Sequence, residues 1–340
     1  MPRKSYNDIL NELKDLEHQL SKLNKKDQVS KELNVQLQHK LVDTLANENK
    51  KLKATNQTFK KFVPQQFLDR IAKDGLENID LNIAEEAKMA ILFSDIRSFT
   101  TITERLTPQE TLTLLNVHFT LFNRIVAKNN GFVDKYIGDE IMALFGEKEE
   151  KLSITAYNAI KSAIEMQESL KNFQEPSIKL NIGIGIHIGR IIVGTVGSQE
   201  RMDSTVVGDA VNISSRLQEL TKKYNSKIII SGSIWRILNK SKHDFLAREI
   251  NKLHLRGSSK PITVFEIYNS EDVASIDYKN KTKNIYNNAL NSYYNKKWQE
   301  SMSLFEKCLK LNPNDRVVKS HLDVCVNKIT KDNLKIALGK

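Results

Sequence analysis

Cysteine is almost missing from this chain. Among 340 residues there are two, Cys308 and Cys325, both near the C-terminus. A disulfide scaffold is excluded, and a reducing, cytoplasmic setting is the expectation. Long hydrophobic runs are missing as well. No segment approaches the roughly 18 apolar residues of a membrane helix, and the longest candidate, Ile182–Gly197, carries five glycines together with His187 and Arg190. The polar stretch after Met1 (PRKSYND) has none of the apolar core of a secretion signal. Dense charge of one sign is absent too. The net charge is +11, but residues 1–60 hold 12 basic and 8 acidic side chains, residues 271–340 hold 13 and 8, and the 210 residues between have a balance of only +2. With no basic block and no interleaved aromatics, a nucleic-acid surface is a weak reading and solvated helical faces a stronger one.

What is present suits globular modules. Apolar residues make up 40% and charged residues 27% of the chain, which excludes wholesale disorder, and the length fits two or three units. We place these units at residues 1–61, 62–270 and 271–340.

The first unit has no glycine, and its one proline is Pro2, so a continuous helix is expected. Ile9, Leu13, Leu16, Leu20 and Leu23 follow the alternating four-three spacing of a coiled-coil seam. Asp27 and Ser30 break it, and it resumes through Leu41, Leu45, Leu52, Phe59 and Phe62. A parallel dimeric coiled coil is the preferred reading, and an amphipathic helix packed on its own domain is the alternative. The last unit is helical again. Ala289, Leu290, Trp298, Phe305, Leu309 and Pro313 are spaced like a single tetratricopeptide unit, which points to packing, capping or a protein partner.

The middle unit alternates strand-like and helix-like patterns. KMAILF (88–93) reads as a buried strand, and Pro108 opens a helix that Gly131 closes. GFVDKYI and EIMALFG flank a Gly138-Asp139 turn as a hairpin. Residues 152–173 are helical, and residues 179–188 and 190–196 are expected as a second, glycine-rich hairpin. Val211–Tyr224 is helical, and IIIS, FLAREI and ITVFEIY are strands. The expected class is α+β, a mixed sheet with helices on one face.

Three stretches can hold chemistry. Asp95 ends the strand in ILFSDIRSFT, and Asp139 occupies the turn of KYIGDEIMALFG. Two such carboxylates can converge as hard oxygen ligands for Mg²⁺ or Mn²⁺. Taken singly, Asp95 also reads as a cap and Asp139 as ordinary turn chemistry. In GDAVNISSR, Asn212 and Arg216 stand four apart and share a helix face. They suit a ribose oxygen and a developing phosphoryl charge, or simply a polar exposed face.

Taken together, ILFSDIRSFT, KYIGDEIMALFG, IGIGIHIGRIIVGTVG and STVVGDAVNISSR, in this order, resemble the catalytic domain of class III nucleotidyl cyclases. The resemblance runs from about Phe62 to Tyr268, with FVPQQFL similar to the family's lead-in helix. It implies a ferredoxin-like cyclase domain that converts ATP to 3′,5′-cyclic AMP and diphosphate with two Mg²⁺ or Mn²⁺ ions per site. Asp95, Asp139 and the Ile96 carbonyl match the metal ligands, and Asn212 and Arg216 match the ribose-orienting and transition-state residues. Lys135 matches the purine-selecting lysine of adenylyl cyclases. Thr205 matches the second purine contact, in the manner of the subgroup that includes bicarbonate-responsive members. Phe99 and Thr100 are carried over as substrate-binding. Arg256 falls where many members have a phosphate-binding lysine, a departure that keeps the charge. The family builds each site across a homodimer, with the aspartates from one chain and Lys135, Thr205, Asn212 and Arg216 from the other. A guanylyl cyclase of the same fold and a silent cyclase-like scaffold are the alternatives.

Overall fold

The computed structural model describes residues 6–23, 27–59, 63–71, 75, 83–146, 150–172, 180–198, 200–254 and 260–337. By contact it divides into two units, Met1–Val63 and Pro64–Lys340.

The first unit holds two helices, α1 (Tyr6–Leu23) and α2 (Asp27–Phe59). This corrects the expectation of one uninterrupted helix. Ile9, Leu13 and Leu16 of α1 and Leu37, Leu41 and Thr44 of α2 line one narrow cleft, so the chain folds back on itself. Asp27 and Ser30, which break the apolar seam, lie at the start of α2. Beyond the cleft, Leu45 and Leu52 of the resumed seam are exposed, at 54% and 60%.

The second unit opens with a short helix, α3 (Gln65–Ile71), in the FVPQQFL stretch. The chain then runs through β1 (Ala84–Ile96), α4 (Phe99–Thr103), α5 (Pro108–Lys128), β2 (Gly131–Ile137), β3 (Glu140–Phe145) and α6 (Leu152–Ser169). There follow β4 (Ile182–Gly197), β5 (Met202–Val207), α7 (Asp209–Tyr224), β6 (Ile228–Ser231), α8 (Gly232–Leu238), β7 (Ala247–Leu253) and β8 (Ile262–Ile267). The helices α9 (Val273–Tyr294), α10 (Trp298–Leu311) and α11 (Arg316–Ala337) complete it. The start of α5 is set locally. Thr107 and Glu110 exchange side-chain and backbone hydrogen bonds as a capping box, and Pro108 fills the first turn.

The strands form one mixed sheet in the order β2-β3-β1-β4-β6-β8-β7, with β5 paired to β4. Only the β4–β6 pairing is parallel among those described. The second glycine-rich hairpin does not exist. Residues 182–197 are a single strand whose residues 182–194 pair antiparallel with β1, Ala84 opposite Gly194 and Ile96 opposite Ile182. Gly189-Arg190 reads as a turn from composition, yet both residues sit in register opposite Met89 and Lys88. The actual turn lies later, closed by reciprocal backbone bonds between Ser198 and Arg201.

Alternation along β4 explains its composition. Ile182, Ile184, Ile186 and Ile188 enter a core shared with α5, α6 and α8. Gly183, Gly185 and Gly189 face α7 on the opposite side, where a Cβ on Gly185 would meet the Gln218 amide nitrogen at 2.1 Å. Glycine lets helix and strand backbones touch. Helices therefore cover both faces of the sheet, not one. On the α7 face a second core joins Leu217, Tyr224, Ile229 and Val264 to Tyr286, Ala289 and Phe305 of the C-terminal helices. Arg248 of β7 anchors those helices: it is bonded to Glu266 at 2.5 Å and to Asp315 at 2.7 Å, all three buried. Asp315 also accepts the backbone N–H groups of Val317 and Val318, capping α11.

Candidate active site

Asp95 lies at the end of β1, opposite Gly183, with its side chain 17% exposed. Asp139 lies in the β2–β3 turn beside Gly138, whose φ of +64° favours glycine. The turn folds over the end of β1, so the Ile96 N–H donates to Asp139 Oδ2 at 3.2 Å. Burial, followed by a hydrogen bond to Asp95 and its charge, pushes the Asp139 carboxyl up to about 6. Next to it, burial and then the charges of Asp95 and Asp139 push Glu140 up to about 7. These are the marks of carboxyls crowded on one spot.

The positive charge facing them comes from α7. Lys222 Nζ reaches Asp95 Oδ2 at 2.6 Å and Gln218 Nε2 reaches the same oxygen at 3.3 Å. Neither residue stands out in the sequence, and neither do Glu140 and Asp134. The one available signal was that Gln218 and Lys222 are themselves four apart and so form a second stripe on α7. Asn212 and Arg216 lie on another face of the same helix. Gln218 and Lys222 each come six positions after them, which is about 120° around the axis. Asn212 is exposed and Arg216 half-buried.

Lys135 and Thr205 meet. The Lys135 Nζ donates to Thr205 Oγ1 at 3.3 Å, bringing β2 to β5. A bulge between Val133 and Lys135 shifts the register and re-aims the lysine. Its other neighbour is Asp134, 3.6 Å away and buried, whose carboxyl burial pushes up while the Lys135 charge partly offsets this. Phe99 of α4 packs on the core and Thr100 is exposed, its carbonyl accepting from Thr103 and Glu104. Arg256 lies outside the described residues. The structure thus brings together Asp95, Ile96 and Asp139 as one group, Lys135 and Thr205 as a second, and Asn212 and Arg216 as a third.

The first group fits a divalent cation. The charge of Asp95 bears directly on the Asp139 carboxyl, so two hard carboxylate donors stand side by side, and an ammonium sits on one of them. Among the described residues no three His, Cys, Asp or Glu side chains form a full cage. Mg²⁺ needs none, since it binds through one or two carboxylates plus substrate phosphates and water.

Residues 81–268 match the family model of the adenylate and guanylate cyclase catalytic domain. The chain is 33% identical over 285 residues to a terminal-differentiation-specific adenylate cyclase of Dictyostelium discoideum, covering 82% of this chain and 13% of that one. It is 38% identical over 227 residues to an adenylate cyclase of Anabaena cylindrica, covering 64% of this chain and 44% of that one. It therefore spans less than half the length of either relative. Among solved structures it is similar in fold to a bacterial light-regulated adenylyl cyclase, with a TM-score of 0.58 and 22% identity over 74% of this chain and 68% of the other. No described helix is long and apolar enough to cross a membrane.

Proposed function

The chain belongs to the adenylate and guanylate cyclase family, and from that membership we propose that it converts ATP to 3′,5′-cyclic AMP and diphosphate in a homodimer with shared active sites. The observation that carries the choice of ATP is the Lys135–Thr205 pair. An ammonium held there donates to adenine N1 and meets the N1–H of guanine as a donor against a donor. The Thr205 hydroxyl, free to rotate, both accepts from Lys135 and can serve the purine edge. Phe99 and Thr100 of α4 are assigned to substrate contact, and Arg256 to charge for the terminal phosphates, on the family resemblance.

Sharing of the site is supported by α7. Its C-terminal half serves the chain's own Asp95, while Asn212 and Arg216 project about 120° away and are available to the carboxylates of a second copy. In that arrangement Asn212 orients the ribose, and Arg216 neutralises the charge that builds on the α-phosphate as the 3′-oxygen attacks in line. Asp95, Asp139 and the Ile96 carbonyl would hold Mg²⁺ or Mn²⁺, two per site. When bound, these ions neutralise the triphosphate and acidify the 3′-hydroxyl. Positioning and charge complementarity supply most of the acceleration in such phosphoryl chemistry. Residues 1–61 are proposed as the dimerising segment. The exposed Leu45 and Leu52 stripe on α2 supports this, because an apolar stripe of that length needs a partner.

The deciding experiment is turnover of ATP and of GTP with Mg²⁺ and with Mn²⁺, in the wild type, in Asp139→Ala, in Arg216→Ala and in an equal mixture of the two variants. Each variant alone is expected to be inactive. Random re-pairing restores one intact site in half the dimers, so the mixture should recover about a quarter of wild-type cyclic AMP formation. An inactive mixture, with exchange of subunits verified, refutes the shared site. Cyclic GMP as the wild-type product refutes the base assignment.

A further inference from the structure

A cleft of about 490 Å³ lies between the β7–β8 end of the sheet and α9, away from all three groups of site residues. β8 stands three strand positions from β1, the strand that bears Asp95, or about 14 Å across the sheet. The volume is in the range of about 300–1,000 Å³ typical of small-molecule sites. Its walls are aromatic: Trp235, Phe265, Tyr286 and Tyr294 line it. One stripe of α9 faces in, with Lys283, Asn287 and Asn291 at successive four-residue steps, all exposed.

The charge lining the cleft is strongly one-sided. Arg248, Lys252, Lys279 and Lys283 contribute four cations against the single carboxylate of Glu249. Not all of these are available. Arg248 is spent on Glu266 and Asp315, and Lys279 on Glu266 and Glu271. Glu249 accepts from the Tyr294 hydroxyl at 2.9 Å. Lys252 lies over the Tyr294 ring at 4.5 Å, and Lys283 has no hydrogen bond or ion pair among the described residues. Two accessible ammoniums, two carboxamides and the half-buried rings of Trp235 and Phe265 therefore converge on one space, while the Tyr286 ring is buried with Arg248 over it at 4.6 Å. Such walls hold a planar ring by stacking, carboxamides read the ring's polar edge, and the ammoniums take an anion.

We propose that this cleft is a second, non-catalytic binding site for a small aromatic anion of nucleotide size, with the phosphate on Lys252 and Lys283 and the base among the aromatic walls. The proposal rests on the cleft alone and not on the cyclase reading.

The chain's two tryptophans make the test local. In the full-length Trp298→Phe chain, Trp235 is the sole indole, and its fluorescence is titrated with AMP and, separately, with inorganic phosphate. Arg216→Ala in the same background removes the family site's own phosphate contact. A saturable change with AMP is expected, unaffected by Arg216→Ala. Inorganic phosphate should bind at least about tenfold more weakly, because stacking is worth on the order of 1–3 kcal/mol per base. Lys283→Ala and Asn287→Ala alter exposed helix positions, where folding is little affected. The loss of a charge-assisted bond in Lys283→Ala should weaken AMP at least about tenfold, and Asn287→Ala should weaken it less. No saturable change up to millimolar AMP overturns the proposal. So does binding that both variants leave intact, or equal affinity for AMP and phosphate.

Discussion

Replacing Gly185 by alanine tests whether α7 is held by direct backbone contact with β4. An added Cβ would lie 2.1 Å from the Gln218 amide nitrogen, 2.5 Å from the Ser214 carbonyl oxygen and 2.7 Å from the Gln218 Cα. All three are backbone atoms in mid-helix, so no rotamer change relieves the clash. Ordinary contact begins near 3.4 Å, and α7 must retreat by roughly 1.3 Å to reach it. Overpacking of this kind costs about 1–3 kcal/mol, and rigid opposing atoms place Gly185→Ala at the upper end. At roughly 2–4 °C per kcal/mol, the melting temperature should fall by about 6–12 °C.

The effect on turnover should exceed the effect on folding. α7 carries Asn212 and Arg216 as well as Gln218 and Lys222, so one shift misplaces every group it supplies. A displacement of about 1 Å can cost on the order of 10²-fold in rate. The assay is cyclic AMP formation well below the variant's own melting temperature, beside thermal unfolding followed by circular dichroism. Gly183→Ala gives the comparison. Its new Cβ would meet Thr221 Oγ1 at 2.0 Å, a side chain that can turn away, so both losses should be smaller. Wild-type melting and turnover in Gly185→Ala would refute the reasoning. Equal losses in the two variants would refute the distinction between yielding and unyielding neighbours.

Four further outcomes follow from the same geometry. Lys135→Glu should lower ATP turnover and the ratio of ATP to GTP use, and an unchanged ratio would remove Lys135 from base selection. Lys222→Ala removes a half-exposed ammonium that competes with a cation for Asp95, so half-maximal activity should need a few-fold less Mg²⁺, in keeping with the roughly 0.2–1 kcal/mol of such pairs. An unchanged Mg²⁺ titration would refute this. Asp315→Ala removes one of the two carboxylate partners of the buried Arg248 and uncaps α11, which should cost about 3–5 kcal/mol in urea unfolding; a loss under about 1 kcal/mol would contradict that anchor. Burial pushes His118, His187 and His321 each down to about 4 from the ordinary 6.5, so the unfolded chain binds more protons between those values and stability falls as pH drops through them. The urea midpoint should drop between pH 7 and pH 5, and less in His118→Leu, because both ring nitrogens of His118 are buried without a hydrogen-bond partner.

Much of the second unit was legible because its elements carry strong local signals. KMAILF belongs to β1, Pro108 opens α5 through a capping box, and Gly138-Asp139 turns between β2 and β3. The split of β4 failed for a physical reason: its glycines serve an approaching helix, and glycine composition alone does not separate that use from a turn. β5 was missed because MDSTVV is largely exposed and barely alternates, and α8 because seven residues give too little periodicity. The last three helices read correctly as helices. Their burial against Ile229 and Val264 is a long-range fact that no local pattern contains. In the site, the carboxylates stood out by their positions at a strand end and a turn. Gln218 and Lys222 did not, since they look like any polar residues on a helix until the sheet places Asp95 beside them.

The two stripes of α7 explain why so much of the sequence is spent on fixing this one helix. Gln218 and Lys222 hold Asp95 of their own chain, and on the shared-site reading Asn212 and Arg216 serve the other. A helix with duties on two faces cannot slide or rotate to suit one without spoiling the other. It must be held at its back, and there Gly183, Gly185 and Gly189 admit it into backbone contact with β4. Ser214 adds direct bonds into the sheet, donating to the Ile91 carbonyl at 2.6 Å and the Gly185 carbonyl at 3.1 Å. Arg97, two residues after Asp95, grips the far end through the carbonyls of Thr221 and Ser226 and the side chain of Asn225. The carboxylate strand and the helix are therefore tied together at several points. On that reading, an input that changes activity acts on how two such strand–helix pairs meet.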